Sequence, residues 1–222
     1  MAILLPWLAV AFISTGAEIG KISVEIALLL ISIRSFLNTG LFIIAHDSMH
    51  NTLSPEWPRL NKAVGTVALF LYAGLNYSSC KHKHLLHHSS PETPEDPDYR
   101  LETEAGFLSW FFRFLRSYVN RRSLFWLISS WALTYALSGY SIKNVIAFSV
   151  IPLIISSVQL FTFGIWLPHR PALESDSTTP RSSNLPPLLS LITCYNFGYH
   201  REHHENPFIP WYQLPRLAAM KP

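Results

Sequence analysis

Tyr199-His200-Arg201-Glu202-His203-His204, close to the C-terminus, places three histidines at positions i, i+3 and i+4. In a helix these positions lie on one face, so the three imidazoles can converge on one point. The same spacing recurs in residues 84–88, and an i, i+4 pair of histidines bounds residues 46–50. Only ~0.02 triplets of this kind are expected by chance at this frequency of histidine. The fold must therefore bring together box one (residues 46–50), box two (84–88) and box three (200–204).

The composition indicates a membrane protein. Of 222 residues, 49% are hydrophobic and only 14% are charged, and the mean hydropathy is +0.21. A net charge of +3 with scattered basic residues argues against a nucleic-acid partner. The apolar N-terminal run has no Lys or Arg before it and is soon followed by another apolar run. We expect a membrane hairpin there rather than a cleaved signal peptide.

The apolar runs predict an all-α integral membrane protein with four transmembrane helices and a cytosolic, histidine-rich helical cap. The predicted spans are residues 3–17, 22–45, 123–138 and 145–167. Residues 63–80 are too short to cross twice, and one crossing would separate box one from box two, so this segment is predicted to be re-entrant or interfacial, bending at Gly65 and Gly74. Residues 106–122 resemble an interfacial amphipathic helix. Arg34, within the second span, is expected to snorkel or to pair.

The distribution of basic residues predicts the same topology. Of the 17 Lys and Arg residues, Lys21 and Lys143 fall on the side away from the histidines and Arg34 falls inside a span. The other 14 fall on the histidine side, which the positive-inside rule assigns to the cytoplasm.

Nine histidines are candidate metal ligands. His169 stands alone in sequence but at the cytosolic end of the last predicted span, whereas His82 lies outside the box spacing and is given no role. Nine ligands are too many for one tetrahedral zinc, so two metals with four or five ligands each fit better. Imidazole suits Fe, Zn, Cu and Ni; because no Glu-x-x-His motif is present, we favour an all-nitrogen di-iron site, with no catalytic residue beyond the ligands. The nine are His46, His50, His84, His87, His88, His169, His200, His203 and His204.

Acidic residues near the boxes are candidates to accept hydrogen bonds from the ligand histidines. These are Asp47, Asp96, Asp98 and Glu202. Glu92 and Glu95 are expected instead to belong to a solvated loop. Tyr199 and Trp211 are candidates for a substrate slot, although aromatic residues at a membrane surface explain them equally well.

The sequence around the boxes resembles that of a known family. The three boxes resemble those of the integral-membrane fatty acid desaturase and hydroxylase superfamily. The flanking sequences are similar to those of the bacterial-type β-carotene ketolases. The similar segments are Asn38-Thr39-Gly40-Leu41-Phe42, Asp96-Pro97-Asp98, Leu167-Pro168-His169-Arg170, Asn196-Phe197-Gly198-Tyr199-His200 and Pro210-Trp211-Tyr212-Gln213-Leu214-Pro215. One departure is Asn51, which follows box one where the family leads us to expect glycine.

The resemblance implies a single desaturase-like domain over residues 1–222 that holds two iron ions. For each catalytic turnover it would use O₂ and two externally supplied electrons. It would oxidise ring carbon C4 of β-carotene twice; the gem-diol then loses water, giving echinenone and then canthaxanthin. A carotenoid substrate and the membrane lipid would be its apolar partners. Since no G-x-G-x-x-G fingerprint is present, the electron donor would be a separate protein of the ferredoxin type. Its predicted docking residues are Lys62, Lys81, Lys83, Arg121 and Arg122.

Other functions are compatible with parts of the pattern. A carotenoid ring hydroxylase or an acyl-lipid desaturase would use the same scaffold. A membrane zinc hydrolase could use His46-Asp47-x-x-His50, but it leaves both histidine triplets unexplained. A metal transporter or sensor that binds metal without catalysis would need polar ligands along its spans, and the predicted spans lack histidine.

Overall fold

The computed structural model describes residues 2–101, 106–139, 141–170, 180–183 and 185–220. These residues are organised in helices, and none of them forms a strand. The helices are α1 (Leu4–Gly16), α2 (Val24–Met49), α3 (Pro58–Ala73), α4 (Tyr77–Ser89), α5 (Phe107–Tyr118), α6 (Arg121–Leu137), α7 (Ile142–His169), α8 (Pro187–Cys194), α9 (His200–Glu205) and α10 (Leu214–Ala219). The all-α fold predicted from the sequence is confirmed.

Two of these helices, α2 and α7, are long and apolar enough to cross a membrane. α2 has 26 residues and extends beyond the predicted span, so that His46 and Asp47 lie on the helix itself. The other predicted spans are helical but short: α1 has 13 residues and α6 has 17, against the ~20 that a bilayer crossing requires. Four crossings therefore stay a prediction.

α7 accommodates two prolines by widening its turns. π-helical segments cover Ile146–Val150 and Thr162–Trp166, and each ends shortly before a proline, Pro152 or Pro168. A proline has no N–H for the carbonyl four residues earlier and its ring clashes with that carbonyl, so a wider turn relieves the clash. For Pro152 that carbonyl belongs to Phe148, and it accepts a hydrogen bond from Arg34 Nε at 3.1 Å. Arg34 thus pairs, as expected from its cost in a membrane helix.

The segment predicted to be re-entrant forms a helix–turn–helix. α3 ends at Ala73 and is capped by Gly74, which has a left-handed φ of +64°. The Asn76 side chain caps α4 by accepting a hydrogen bond from Ser79 N at 2.9 Å. Gly74 is therefore a bending point, as predicted. Gly65 is not, because it lies in the middle of α3.

Gly65 allows close packing of the helices that carry box one and box two. A Cβ at this position would lie 2.1 Å from Ser48 Oγ and 2.5 Å from the Tyr77 ring. Around it, Asn61 Nδ2 donates to Ser48 O at 2.7 Å and Tyr77 Oη donates to the same carbonyl at 2.9 Å. These buried bonds join α2, α3 and α4, and so hold box one against box two.

α5 has the two-sided character predicted for an interfacial helix. Trp110 and Phe111 are buried, with Trp110 Nε1 donating to Asp98 O at 2.9 Å, whereas Leu108 and Phe112 are exposed. The contact with Asp98 places α5 beside the loop that follows box two.

Candidate metal centre

Five histidines from the three boxes form one group, which we call group one. Their ligand nitrogens all lie within 4.8 Å of one another. Nε2 of His50 lies 2.6 Å from Nε2 of His84, and Nε2 of His88 lies 2.9 Å from Nε2 of His203. Group one consists of His46, His50, His84, His88 and His203.

Four further histidines form group two beside it. Nε2 of His200 lies 3.0 Å from that of His169, and Nε2 of His204 lies 3.1 Å from those of His87 and His200. The nitrogens of these four also lie within 4.8 Å of one another. His82 is exposed and belongs to neither group. The structure thus brings together all nine histidines that the sequence nominated and leaves out the tenth.

The i, i+3, i+4 spacing divides each triplet between the groups. In box two, His84 and His88 face group one while His87 faces group two. In box three the assignment is reversed, because His200 and His204 face group two while His203 faces group one. Each short helix therefore gives two nitrogens to one centre and one to its neighbour, which places the two centres side by side.

The imidazoles are held in the form that binds metals. Burial lowers the pKa of His50 to about 4 and that of His88 to about 2. Burial also lowers the pKa of His203 and His200 well below the ordinary value, with neighbouring histidines adding to the effect. The side chains are therefore neutral near pH 7, as metal ligation requires.

A metal also accounts for otherwise unexplained nitrogens. Nε2 of His46 is buried and has no hydrogen-bond partner among the described residues. A buried polar atom without a partner is costly, but a nitrogen that is a metal ligand needs no hydrogen bond. The donor set, nine imidazoles in groups of five and four, fits two borderline divalent transition metals.

Two carboxylates orient histidines of group two. His87 Nδ1 donates to Asp96 Oδ2 at 2.9 Å, and His169 Nδ1 donates to Glu92 Oε1 at 3.2 Å. Burial lowers the pKa of His87, but the Asp96 hydrogen bond and the nearby Asp98 and Glu92 charges outweigh burial, so the net pKa is raised. A carboxylate on Nδ1 fixes the tautomer that leaves Nε2 for a metal.

Glu92 was missed by sequence reasoning, which assigned it to a solvated loop. Its carboxylate instead contacts His169. Glu92 has a left-handed φ of +62° and its backbone N–H donates to Asp96 Oδ2 at 3.2 Å. The sequence offered no signal to separate Glu92 from Glu95, since the turn that aims its side chain depends on the folded loop.

The other three nominated carboxylates have different partners. Asp47 Oδ1 lies 3.5 Å from His46 Nδ1 without forming a hydrogen bond, and Oδ2 accepts from Trp211 N at 3.3 Å. Asp98 accepts from Tyr118 Oη at 3.0 Å, and Glu202 accepts from the Ser182 hydroxyl. Through the hydrogen bond from Trp211 N, Asp47 ties the C-terminal segment to box one.

A small apolar space of about 40 Å³ lies where the two groups meet. His46 and His84 of group one and His87 and His200 of group two border it. Neither Tyr199 nor Trp211 does: Tyr199 Oη donates to Leu185 O at 3.2 Å, and Trp211 packs on Tyr195 with ring centroids 5.2 Å apart. The apolar lining includes Phe42, Met49, Phe114, Leu160, Ile165 and Phe197.

The structure also explains the residue after box one. Asn51 has φ +61° and donates its backbone N–H to Ser48 O at 3.1 Å. Glycine adopts this left-handed conformation freely, and asparagine tolerates it better than most other residues. Asparagine therefore preserves the turn for which glycine was expected.

Comparison with known proteins agrees with this geometry. The sequence pattern of the fatty acid desaturase family matches residues 23–143 and 116–222. The chain is 38% identical over 218 residues to a beta-carotene ketolase of Paracoccus sp. (strain PC1), covering 97% of this chain and 88% of that protein. It is 41% identical over 184 residues to the beta-carotene ketolase of Paracoccus sp. (strain N81106 / MBIC 01143), covering 82% and 74%. It is 35% identical over 193 residues to a beta-carotene ketolase of Haematococcus lacustris, covering 83% and 60%. This chain belongs to the fatty acid desaturase family and, within it, to the beta-carotene ketolases.

Proposed function

We propose that this protein is an O₂-dependent ketolase that converts C4 of the β-carotene ring to a ketone within a single domain over residues 1–222. The observation that carries the proposal is the pair of histidine groups, five and four, that meet at one small apolar space. An apolar space bordered by both groups is where the allylic ring carbon C4 could approach the two metals with water excluded. The relatives named above are beta-carotene ketolases, which supplies the substrate class.

The nine histidines would hold two iron ions, five ligands on one and four on the other. Such a centre, when bound, supplies the activation of O₂ with two electrons from outside the chain. The chain's own residues hold and orient the ligands: Asp96 and Glu92 fix the tautomers of His87 and His169. Burial lowers the pKa of His50, His88, His200 and His203, which favours the neutral form that binds metals.

Each catalytic turnover replaces one C–H bond at C4 by a C–OH group. One oxygen atom of O₂ enters the product and the other leaves as water, with two electrons and two protons consumed. A second turn at the same carbon gives a gem-diol, which loses water to leave the ketone. Ring positions are selected by how the carotenoid lies against Phe42, Leu160 and Phe197 beside the two groups.

The protein is associated with a membrane, as its family and its two long apolar helices indicate. We propose that α1 and α6 also cross, giving four spans with the histidines on the cytoplasmic face. Both helices expose large apolar side chains, including Leu5 and Phe12 on α1 and Phe125 and Ile128 on α6. Such surfaces suit contact with lipid and with a carotenoid dissolved in it.

The electron donor is proposed to be a ferredoxin-type protein that docks on basic residues at the cytoplasmic face. Lys62, Arg121 and Arg122 are exposed, and Lys81 is half-buried. Lys83 has a different role: its ammonium donates to Ser117 O and lies 4.8 Å from the centre of the Tyr118 ring. Lys83 therefore joins α4 to α5, and we do not include it in the proposed docking surface.

Pigment analysis in a bacterial host that accumulates β-carotene tests the function. The host with this chain should accumulate ketocarotenoids, and the host without it should not. The exposed His82→Ala variant is the matched control and should ketolate like the parent. Hydroxylated rings would indicate a carotenoid hydroxylase, and new acyl double bonds would indicate a desaturase; either product without ketones contradicts the proposal.

A further inference from the structure

One wall of the small space rests on a glycine. Gly164 lies in the π-helical segment Thr162–Trp166 of α7 and borders the space beside the histidine groups. A Cβ at this position would lie 2.8 Å from Cε1 and 2.9 Å from Cδ1 of Phe197. Glycine inside a helix is less favourable than alanine, but here the missing Cβ lets the Phe197 ring lie directly against the backbone of α7.

The Phe197 ring contacts both histidine groups. Its centroid lies 4.6 Å from that of His46 and 6.2 Å from that of His203, both in group one. It lies 5.8 Å from the centroid of His200, in group two. Phe197 also borders the small space. A shift of this ring away from α7 would therefore change the room beside both groups.

The backbone on either side of Phe197 is held in place. Tyr195 and Asn196, which precede it, have left-handed φ angles of +48° and +62°. Gly198 O, which follows it, accepts a hydrogen bond from Ser183 N at 2.7 Å. A left-handed conformation is costly for a residue other than glycine and persists where the surrounding structure imposes it. A methyl group added on α7 must therefore displace the Phe197 ring rather than its backbone.

The proposed reaction needs this room more in its second turnover than in its first. In the first turnover C4 carries two hydrogens. In the second it carries one hydrogen and the new hydroxyl group, and the same carbon must reach the metals again. A water-sized group needs ~10–15 Å³, which is a large share of a space of about 40 Å³. Room is therefore more limiting for the alcohol than for β-carotene.

We propose that Gly164 determines whether the protein forms the ketone or stops at the alcohol, because it lets Phe197 lie far enough back for the hydroxylated ring to bind again. The inference rests on the proposed function, and Gly164 acts in it as a positioning residue. In the second turnover the remaining C–H bond at C4 is replaced by C–OH. O₂, two electrons from the external donor and two protons are consumed, one water is released, and the gem-diol then loses a second water.

The first test measures binding without an electron donor, so that no turnover takes place. The parent and Gly164→Ala are titrated in detergent with β-carotene and with its 4,4′-diol, and quenching of tryptophan fluorescence gives each dissociation constant. One methyl group in an apolar site is worth ~10–200-fold in discrimination. Gly164→Ala should therefore weaken binding of the diol relative to β-carotene by ~10-fold or more. Gly16→Ala, where a Cβ meets nothing within 4 Å, is the matched control and should bind both like the parent.

The second test compares pigments in the bacterial host that accumulates β-carotene, with the iron content of each purified variant measured in parallel. The parent should form ketones, whereas Gly164→Ala should convert β-carotene to C4 alcohols and leave them unoxidised. A general loss of structure would instead lower both steps together. Phe197→Leu in the Gly164→Ala background removes the ring that the methyl group meets, so the double variant should form ketones again.

A further variant guards against misfolding of Gly164→Ala. Phe197→Trp enlarges the ring and leaves α7 unchanged, so it should also weaken binding of the diol relative to β-carotene. An unchanged binding ratio in either iron-replete variant, or an alcohol product that persists in the double variant, would overturn the inference. A parent that oxidises no ring carbon of β-carotene would contradict the proposed function itself. A parent that forms ketones beside an unchanged Gly164→Ala would contradict this inference alone.

Discussion

The histidine groups and a cavity lined by Arg34 use polar groups inside a membrane protein in different ways. At the histidine groups, nine similar side chains lie in two adjacent clusters, and four of them border a space of about 40 Å³. A larger cavity of about 420 Å³ between α1, α2, α3, α6 and α7 is mostly apolar, and its polar lining includes Arg34, Asn38 and several Ser and Thr side chains. A dense set of histidines suits metal chemistry, whereas a larger and mostly apolar space suits an apolar molecule. Reaction type and substrate preference should therefore respond to different mutations.

The largest effect is expected from removing a histidine that serves the reaction centre. His203→Ala takes one nitrogen from group one while His82→Ala, on the surface, takes none. Loss of a ligand should cost more than the ~10–100-fold typical of residues that only orient ligands. Ketolation of β-carotene and of its monoketone should both fall in His203→Ala and stay at the parent level in His82→Ala. Ketolase activity retained by His203→Ala would break the assignment.

A smaller effect is expected from the carboxylates that orient group two. Asp96→Asn replaces the acceptor of the His87 bond, and because both residues are buried, activity or metal affinity should fall ~10–100-fold. Glu92→Gln perturbs His169 from a side chain that is 30% exposed, so its effect should be smaller. Metal titration of the two variants in parallel measures this order. A larger loss of metal affinity in Glu92→Gln than in Asp96→Asn would contradict the expectation that the Asp96–His87 contact matters more than the Glu92–His169 contact.

The smallest effect on the chemistry is expected from Gly65→Ala, which disturbs the packing of α2, α3 and α4 without touching a histidine. The added methyl group meets Ser48 and Tyr77, and overpacking of this kind costs ~1–3 kcal/mol in the free energy of unfolding. Gly16→Ala is the matched control, because a Cβ there meets nothing within 4 Å. Thermal unfolding in detergent should separate the two variants. Equal stability would show that Gly65 is not a packing constraint.

The sequence predicted that these histidines lie close together because helical spacing places i, i+3 and i+4 side chains on one face, and it added His169 from its position at the end of the last span. It could not show how each triplet divides between two groups, since this depends on how α4 and α9 face each other. It placed Gly74 correctly as a bend but not Gly65, because close packing leaves no local signal in the sequence. Glu92 and the partner of Arg34 were hidden for a similar reason: both contacts join residues 77 or more positions apart.

Metal content of the detergent-purified protein tests the central claim, that two adjacent histidine groups hold two iron ions. The parent should contain two irons per chain. His50→Ala, in group one, and His204→Ala, in group two, should each lose iron, while His82→Ala should keep both. One zinc per chain with no iron, or two irons retained in both ligand variants, would contradict the account.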